Sequence, residues 1–272
     1  MPRRLAVVAG AGALAPQVIE AALVAGDEVR AFVLSPQVLP PEAGQQPVSL
    51  DHLGALFDAI RSFGASHLVL AGAVTLTDTD RRRLLAALGG EGQPTGDAAL
   101  SHLAARLQQL TGASLLGAHE VAPDLLAPAG PLAGPVATAS QLESARLALL
   151  AARQVGAMDL GQAAVVAGGR VVAVEDVAGT DELLARVARH RLAGLVGDSD
   201  KIQLVLGKAC KPQQPLFVDL PAIGPGTVTG ALSAGISVIA VEAGRTLLLE
   251  RASLLAKANR HDIAIVGLTT DG

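Results

Sequence analysis

The residues best suited to chemistry stand together late in the chain, in KACKPQQPLFVDLP, Lys208–Pro221. Lysine brings a compact, strongly hydrated cation that neutralises phosphate charge. A carboxylate beside it can hold Mg²⁺, which favours carboxylates together with substrate phosphate oxygens, or it can orient a water. Lys208, Lys211 and Asp219 therefore read as a phosphate-binding group with a metal or water ligand. Asp219, close to Pro221, equally fits a turn cap, and the local sequence leaves both open. Cys210, between the lysines, has no His–Asn partner pattern and reads as a small core residue.

Three other stretches carry reactive or ligand-binding residue types. Gly10-Ala11-Gly12 follows an apolar run and precedes a helical pattern, where glycines permit close backbone approach and a helix start offers N–H groups to phosphate. The match to a dinucleotide fingerprint is partial. GAGALA lacks its third glycine, and the next apolar run ends VLSP, without an acid for a ribose. A phosphate cradle fits better than a nicotinamide oxidoreductase; a plain glycine turn is the bland alternative. GAHEV sets His119 and Glu120 at the end of a short extended run, for a metal, proton-transfer or ribose contact. Neighbours in extended chain point opposite ways, so one ligand would not meet both; a simple turn histidine is the alternative. DLGQ and AVEDVAGTD bring Asp159, Gln162, Glu175, Thr180 and Asp181 to element ends. Gly179-Thr180 offers N–H groups to an anion, while Asp181 alone fits a first-turn helix acid.

The elements that must position these residues follow from pattern. LAVVA, EVRAFVL and HLVLAG (ending at Gly72) are short apolar runs, so they read as buried strands. Helical spacing covers Ala13–Gly26, the stretch from Leu50 to Gly64, and about Thr79–Leu88 and Asp97–Leu110. The alternation predicts a Rossmann-like α/β domain with a parallel sheet over 1–122. Pro, Ala and Gly crowd residues 123–139, which read as a linker. A second α/β domain, 140–272, is expected to contain a helix from Ser140, a hairpin about Gly168-Gly169, a helix capped by Thr180 or Asp181, and strands KIQLVLGK, LFVD, ISVIAVEAG and DIAIVGL. Helices over TVTGALSAG and Arg251–Asn259 complete it.

Composition narrows the function. Half of the 272 residues are hydrophobic but only 1% are aromatic, so the core is aliphatic. Net charge is −4, which argues against nucleic acid; Arg81-Arg82-Arg83 reads as a solvated helix face. One cysteine excludes an internal disulfide. MPRRLAVVAGAGALA resembles a signal peptide only superficially, and glycine, proline or charge interrupts every long apolar run. A cytoplasmic protein touching at most a membrane surface is expected.

In their order, these fragments resemble the LpxI family, UDP-2,3-diacylglucosamine pyrophosphatases of lipid A assembly. The resemblance rests on VAGAGALA, LAGAV (70–74), GAHEV, DLGQAAVV, AVEDVAGTD, GKACKPQQPLFVDLPAIGPGTV and VEAGRTLLL. It implies two α/β domains and Mg²⁺-assisted hydrolysis, with water attacking the α-phosphorus to give UMP and 2,3-diacylglucosamine 1-phosphate. It assigns Asp219 as the essential acid and metal ligand. Gly10, Gly12, Gly72, His119, Gln162, Thr180, Asp181, Lys208 and Lys211 become expected substrate contacts. It implies transient contact with the inner membrane surface and leaves a homo-oligomer open. Ala98, Ala178, Pro215 and Phe217 stand where the family carries charge. They motivate a second reading, a protein that binds a nucleotide sugar or acylated sugar phosphate without cleaving it.

Overall fold

The computed structural model describes residues 2–74, 97–196, 202–213, 216–217 and 220–269, with the backbone alone over 97–103. The chain forms two compact units. Met1–Asp124 and Pro215–Asp219 make the first; Leu125–Gln214 and Leu220–Gly272 make the second. The helix expected over Thr79–Leu88, the arginine run at 81–83, Pro215 and Asp219 lie outside the described residues.

In the first unit, strands β1 (Arg4–Ala9), β2 (Glu28–Val33), β3 (Gly44–Pro47), β4 (His67–Ala71) and β5 (Ser114–Leu116) pair in the order β3-β2-β1-β4-β5. All four pairings are parallel. The strand order reverses between β1 and β4, the switch point where open α/β sheets bind ligands. Helices α1 (Leu14–Val24), α2 (Leu53–Phe63) and α3 (Asp97–Thr111) connect the strands. α2 carries Leu53, Leu56, Phe57, Ile60 and Phe63 at helical spacing, all buried, and stops where Gly64 turns left-handed (φ 69°). Ala6 and Val8 of β1 and Phe32 of β2 meet that stripe and Leu107. Three of the chain's four phenylalanines thus serve this one core. Arg3 anchors the strand start: its guanidinium donates to Asp27 at 2.6 Å. Burial opposes the Asp27 charge, but the hydrogen bonds and charge of Arg3 prevail and hold its carboxyl below the usual range.

The second unit contains a six-stranded mixed sheet: β6 (Gly130–Ala133), β13 (Ala264–Leu268), β11 (Ile236–Glu242), β9 (Leu204–Lys208), β7 (Ala163–Ala167) and β8 (Arg170–Val174), in that order. β13, β11 and β9 run parallel; β6, β7 and β8 pair antiparallel with their neighbours. The expected hairpin is β7–β8, turning at Gly168-Gly169, both at positive φ. A small parallel pair, β10 (Ala222–Ile223) and β12 (Leu247–Leu248), stands apart.

Helix α4 (Ala118–Val121) precedes this unit. Within it, α5 (Ala139–Ala157) covers one sheet face through Ala145, Ala148, Leu149 and Ala152. On β9, a Cβ at Gly207 would fall 2.5 Å from the Ala148 backbone, so glycine sets how close α5 lies. Helices α6 (Gly179–Leu192), α7 (Pro225–Ala234) and α8 (Arg251–Arg260) cover the other face through Leu183, Leu184, Val187, Val228, Ala231 and Leu254. This core holds no aromatic residue and is filled by aliphatic interdigitation.

Several local expectations change. Leu216–Phe217 is a turn where LFVD reads as a strand, and Val218 and Asp219 of that stretch lie outside the described residues; Pro215, just before, cannot donate to a strand ladder. Part of the stretch read as linker is β6, an edge strand beside β13 that tolerates Pro131 because it pairs on one side only. α6 begins one residue before Thr180, with Ala178 at the cap, so neither Thr180 nor Asp181 caps it. Among the described residues, no helix is long and apolar enough to cross a membrane.

Candidate functional site

In the first unit, the loops after β1 and β4 touch at the switch point. Ala11 and Ala73 exchange both backbone hydrogen bonds at 2.8 Å, and the Gly10 N–H donates to the Ala71 carbonyl. A Cβ on Gly10 would lie 2.5 Å from the Ala73 oxygen, and one on Gly72 would lie 2.6 Å from the Gly10 oxygen. These two glycines are needed for loop-to-loop contact. Gly12 differs: its φ is +96° and nothing lies within 4 Å of where a Cβ would stand. Gln37 donates from Nε2 to the Gly10 carbonyl at 2.5 Å. Its buried Oε1 has no hydrogen-bond partner among the described residues. The following helix, α1, has no side-chain cap.

His119 sits in α4, a short helical turn and not the expected extended segment. The Gly117 N–H donates to Glu120 Oε2 at 2.6 Å, which closes the turn. The imidazole lies over Gly117, where a Cβ would meet Cε1 at 2.5 Å and the Phe217 Cα at 3.1 Å. His119 Nδ1 is buried without a partner among the described residues. Glu120 is occupied in closing the turn, so the two residues have separate tasks.

The second unit gathers charge at the carboxyl ends of its parallel strands. Side chains alternate along a strand, and here the alternation divides the polar groups between the two faces. Leu204 and Leu206 pack toward α6 and α7, and Lys208 continues their row. Lys208 is only 7% exposed; its Nζ donates to Thr180 Oγ1 at 2.9 Å. The Thr180 hydroxyl in turn donates to Glu175 Oε2 at 3.0 Å. On β11, Val238 and Ala240 face α5, and Glu242 continues that row at 1% exposure. Glu242 accepts from Arg153 of α5 at 3.2 Å and from the Cys210 N–H at 2.8 Å. Arg245 Nη1 approaches it at 3.8 Å. Because Cys210 is tied down, Lys211 leaves the strand at a fixed point. Its stem lies against Gly156, where a Cβ would meet Lys211 Cγ at 3.1 Å, and its Nζ pairs with Asp159 at 2.7 Å.

Of the residues expected from sequence, Gly10, Gly12, Gly72 and His119 belong to the first unit. Gln162, Thr180, Asp181, Lys208 and Lys211 belong to the second. Lys208 and Thr180 are in direct contact. The Gln162 carbonyl accepts from the Ala209 N–H at 3.0 Å, beside Lys208, and its buried Oε1 has no partner among the described residues. Asp181 is exposed in the first turn of α6. Asp219 lies outside the described residues. Cys210 is buried, as a small core residue should be. Sequence reasoning missed Glu242, Arg153 and Arg245. One signal existed: Arg153 shares a helical stripe with Ala145, Leu149 and Ala152, so a cation points at the sheet.

The chain is thus a protein of two α/β units, one with a glycine-built switch point and one with a buried lysine at the carboxyl end of β9, the edge at which open α/β sheets place their ligands. The chain belongs to the LpxI family. Residues 4–125 match the LpxI N-terminal domain and residues 128–266 the LpxI C-terminal domain. Over 98% of its length, and 98% of the relative's, the chain is 33% identical to the UDP-2,3-diacylglucosamine pyrophosphatase LpxI of Caulobacter vibrioides.

Proposed function

We propose that this protein hydrolyses the pyrophosphate of UDP-2,3-diacylglucosamine to UMP and 2,3-diacylglucosamine 1-phosphate, in lipid A biosynthesis. The observation that carries the reading is the buried Lys208, held by Thr180 at the carboxyl end of β9 in a chain matched to the family through both domains. A pyrophosphate carries concentrated negative charge that repels an incoming nucleophile. Fixed cations neutralise that charge without reorganising during the reaction. Water attacks one phosphorus of the pyrophosphate in line; the bond from that phosphorus to the bridging oxygen breaks, and the other phosphate departs with that oxygen. Lys208 and Lys211 hold the phosphate oxygens. In this reading Asp219 orients the water.

Magnesium is part of the proposal as the ion that neutralises the remaining pyrophosphate charge. Among the described residues, no three His, Cys, Asp or Glu side chains converge. Glu175 and Glu242 are already committed to Thr180, Arg153 and the Cys210 N–H. The steps above therefore rest on the chain's own cations. The substrate carries two acyl chains, so the protein meets it at the cytoplasmic face of the inner membrane.

The test is UMP release from UDP-2,3-diacylglucosamine with Mg²⁺ by the wild-type protein and by Asp219→Ala. Turnover that falls about a thousandfold or more in the variant is expected for loss of a group orienting the nucleophile. A wild-type protein that binds the substrate and leaves it intact sinks the reading and favours the binding-protein alternative.

A further inference from the structure

Helix α5 ends in a turn whose hydrogen bonds identify it. The Leu160 N–H donates to the Val155 carbonyl at 3.2 Å, and the Asp159 N–H donates to the Gly156 carbonyl at 3.0 Å. This is the Schellman pattern, which requires a left-handed residue at the Asp159 position and usually places glycine there. After α1, α2 and α7 the chain does use glycine: Gly26, Gly64 and Gly235. Asp159 instead holds φ 56°. Aspartate tolerates this region better than most residues but less well than glycine. Asp262, after α8, adopts a similar φ of 52° in an exposed turn and serves as an internal comparison. The two differ in what their side chains reach. Asp159 pairs with Lys211 Nζ at 2.7 Å, with the Lys211 side chain only 15% exposed and its stem lodged against Gly156.

We propose that Asp159 is a positioning residue: its carboxylate fixes the Lys211 ammonium beside the carboxyl end of β9 for the substrate phosphate, an inference that rests on the reaction proposed above. Lysine is a flexible point charge, and ordering it before the substrate arrives removes part of the entropic cost of binding. A carboxylate alone repels phosphate, so it helps only through the cation it holds. That dependence makes the idea testable by a double-mutant cycle.

The cycle combines Asp159→Asn and Lys211→Met and reads kcat and KM for UMP release. Asp159→Asn is expected to lower kcat/KM about tenfold, as for other groups that orient a ligand-binding side chain. Lys211→Met is expected to lower it about a hundredfold. The double variant should be no worse than Lys211→Met alone. Asp159→Gly should match Asp159→Asn in activity while melting no lower than wild type, and Asp262→Gly should leave kcat/KM unchanged. Additive losses in the double variant, or an Asp159→Asn protein as active as wild type or more so, overturn the proposal. If the wild-type protein releases no UMP, the reaction reading fails separately. The same cycle is then read by calorimetry with inorganic pyrophosphate, where equal or tighter binding by Asp159→Asn overturns the positioning role.

Discussion

Lys208→Met is expected to lower kcat/KM for UMP release by about a hundred- to a thousandfold, the range for removing one fixed donor from developing phosphate charge. Methionine keeps most of the stem's volume, so packing around β9 is largely preserved. The lost feature is the ammonium, which donates to Thr180 at 2.9 Å from a site only 7% exposed. A cation so little solvated interacts strongly with a phosphate and needs little rearrangement to do so. Far-ultraviolet circular dichroism and a melting curve establish that the variant is folded before its kinetics are read. Thr180→Val should give a smaller loss, about tenfold, because it removes the lysine's holder and not the charge. A Lys208→Met protein with wild-type kcat/KM contradicts the placement of the phosphate at β9.

The largest effect on stability is expected at Glu242. Replacing it with leucine removes a carboxylate that accepts from the Cys210 N–H and from Arg153 at a position 1% exposed. The Cys210 N–H loses this acceptor, and Arg153 loses this carboxylate. Breaking a wholly buried pair costs about 3–5 kcal/mol. Arg153 is 32% exposed and recovers some hydration, so a loss of about 2–4 kcal/mol is expected, measured by urea unfolding. Glu242→Gln retains an acceptor for Cys210 and should cost about half as much. Equal stability of Glu242→Leu and wild type would show that the network does not hold the segment leading to Lys211.

The strands of both units were legible because their apolar runs are continuous and bounded by glycine. β1, β2, β4, β9, β11 and β13 lie where those runs lie, and the β7–β8 hairpin follows its glycine pair. The edge strands were not. β6 is short and proline-bearing, and it exists because β13 offers a free edge, a fact no local window contains. GAHEV failed for another reason: the Gly117–Glu120 hydrogen bond closes a helical turn too short for any periodicity. Lys208 and Lys211 stood out as charges at the end of an apolar strand, but their holders did not. Thr180 lies 28 positions from Lys208, and Asp159 lies 52 from Lys211. Arg153 lies 89 positions from Glu242. Such pairings are set by strand order and by which face each side chain takes. An acid ending ISVIAVE, like a lysine ending LVLGK, was the available hint that a buried strand delivers charge to its carboxyl edge.

Hydrolysis of UDP-2,3-diacylglucosamine in ¹⁸O-enriched water, with both phosphate products analysed by mass spectrometry, tests the central claim most directly. Hydrolysis at the pyrophosphate releases UMP and places one ¹⁸O in just one of the two products, UMP or 2,3-diacylglucosamine 1-phosphate, and this is the predicted result. Release of UDP in place of UMP, or intact substrate after prolonged incubation with Mg²⁺, contradicts it.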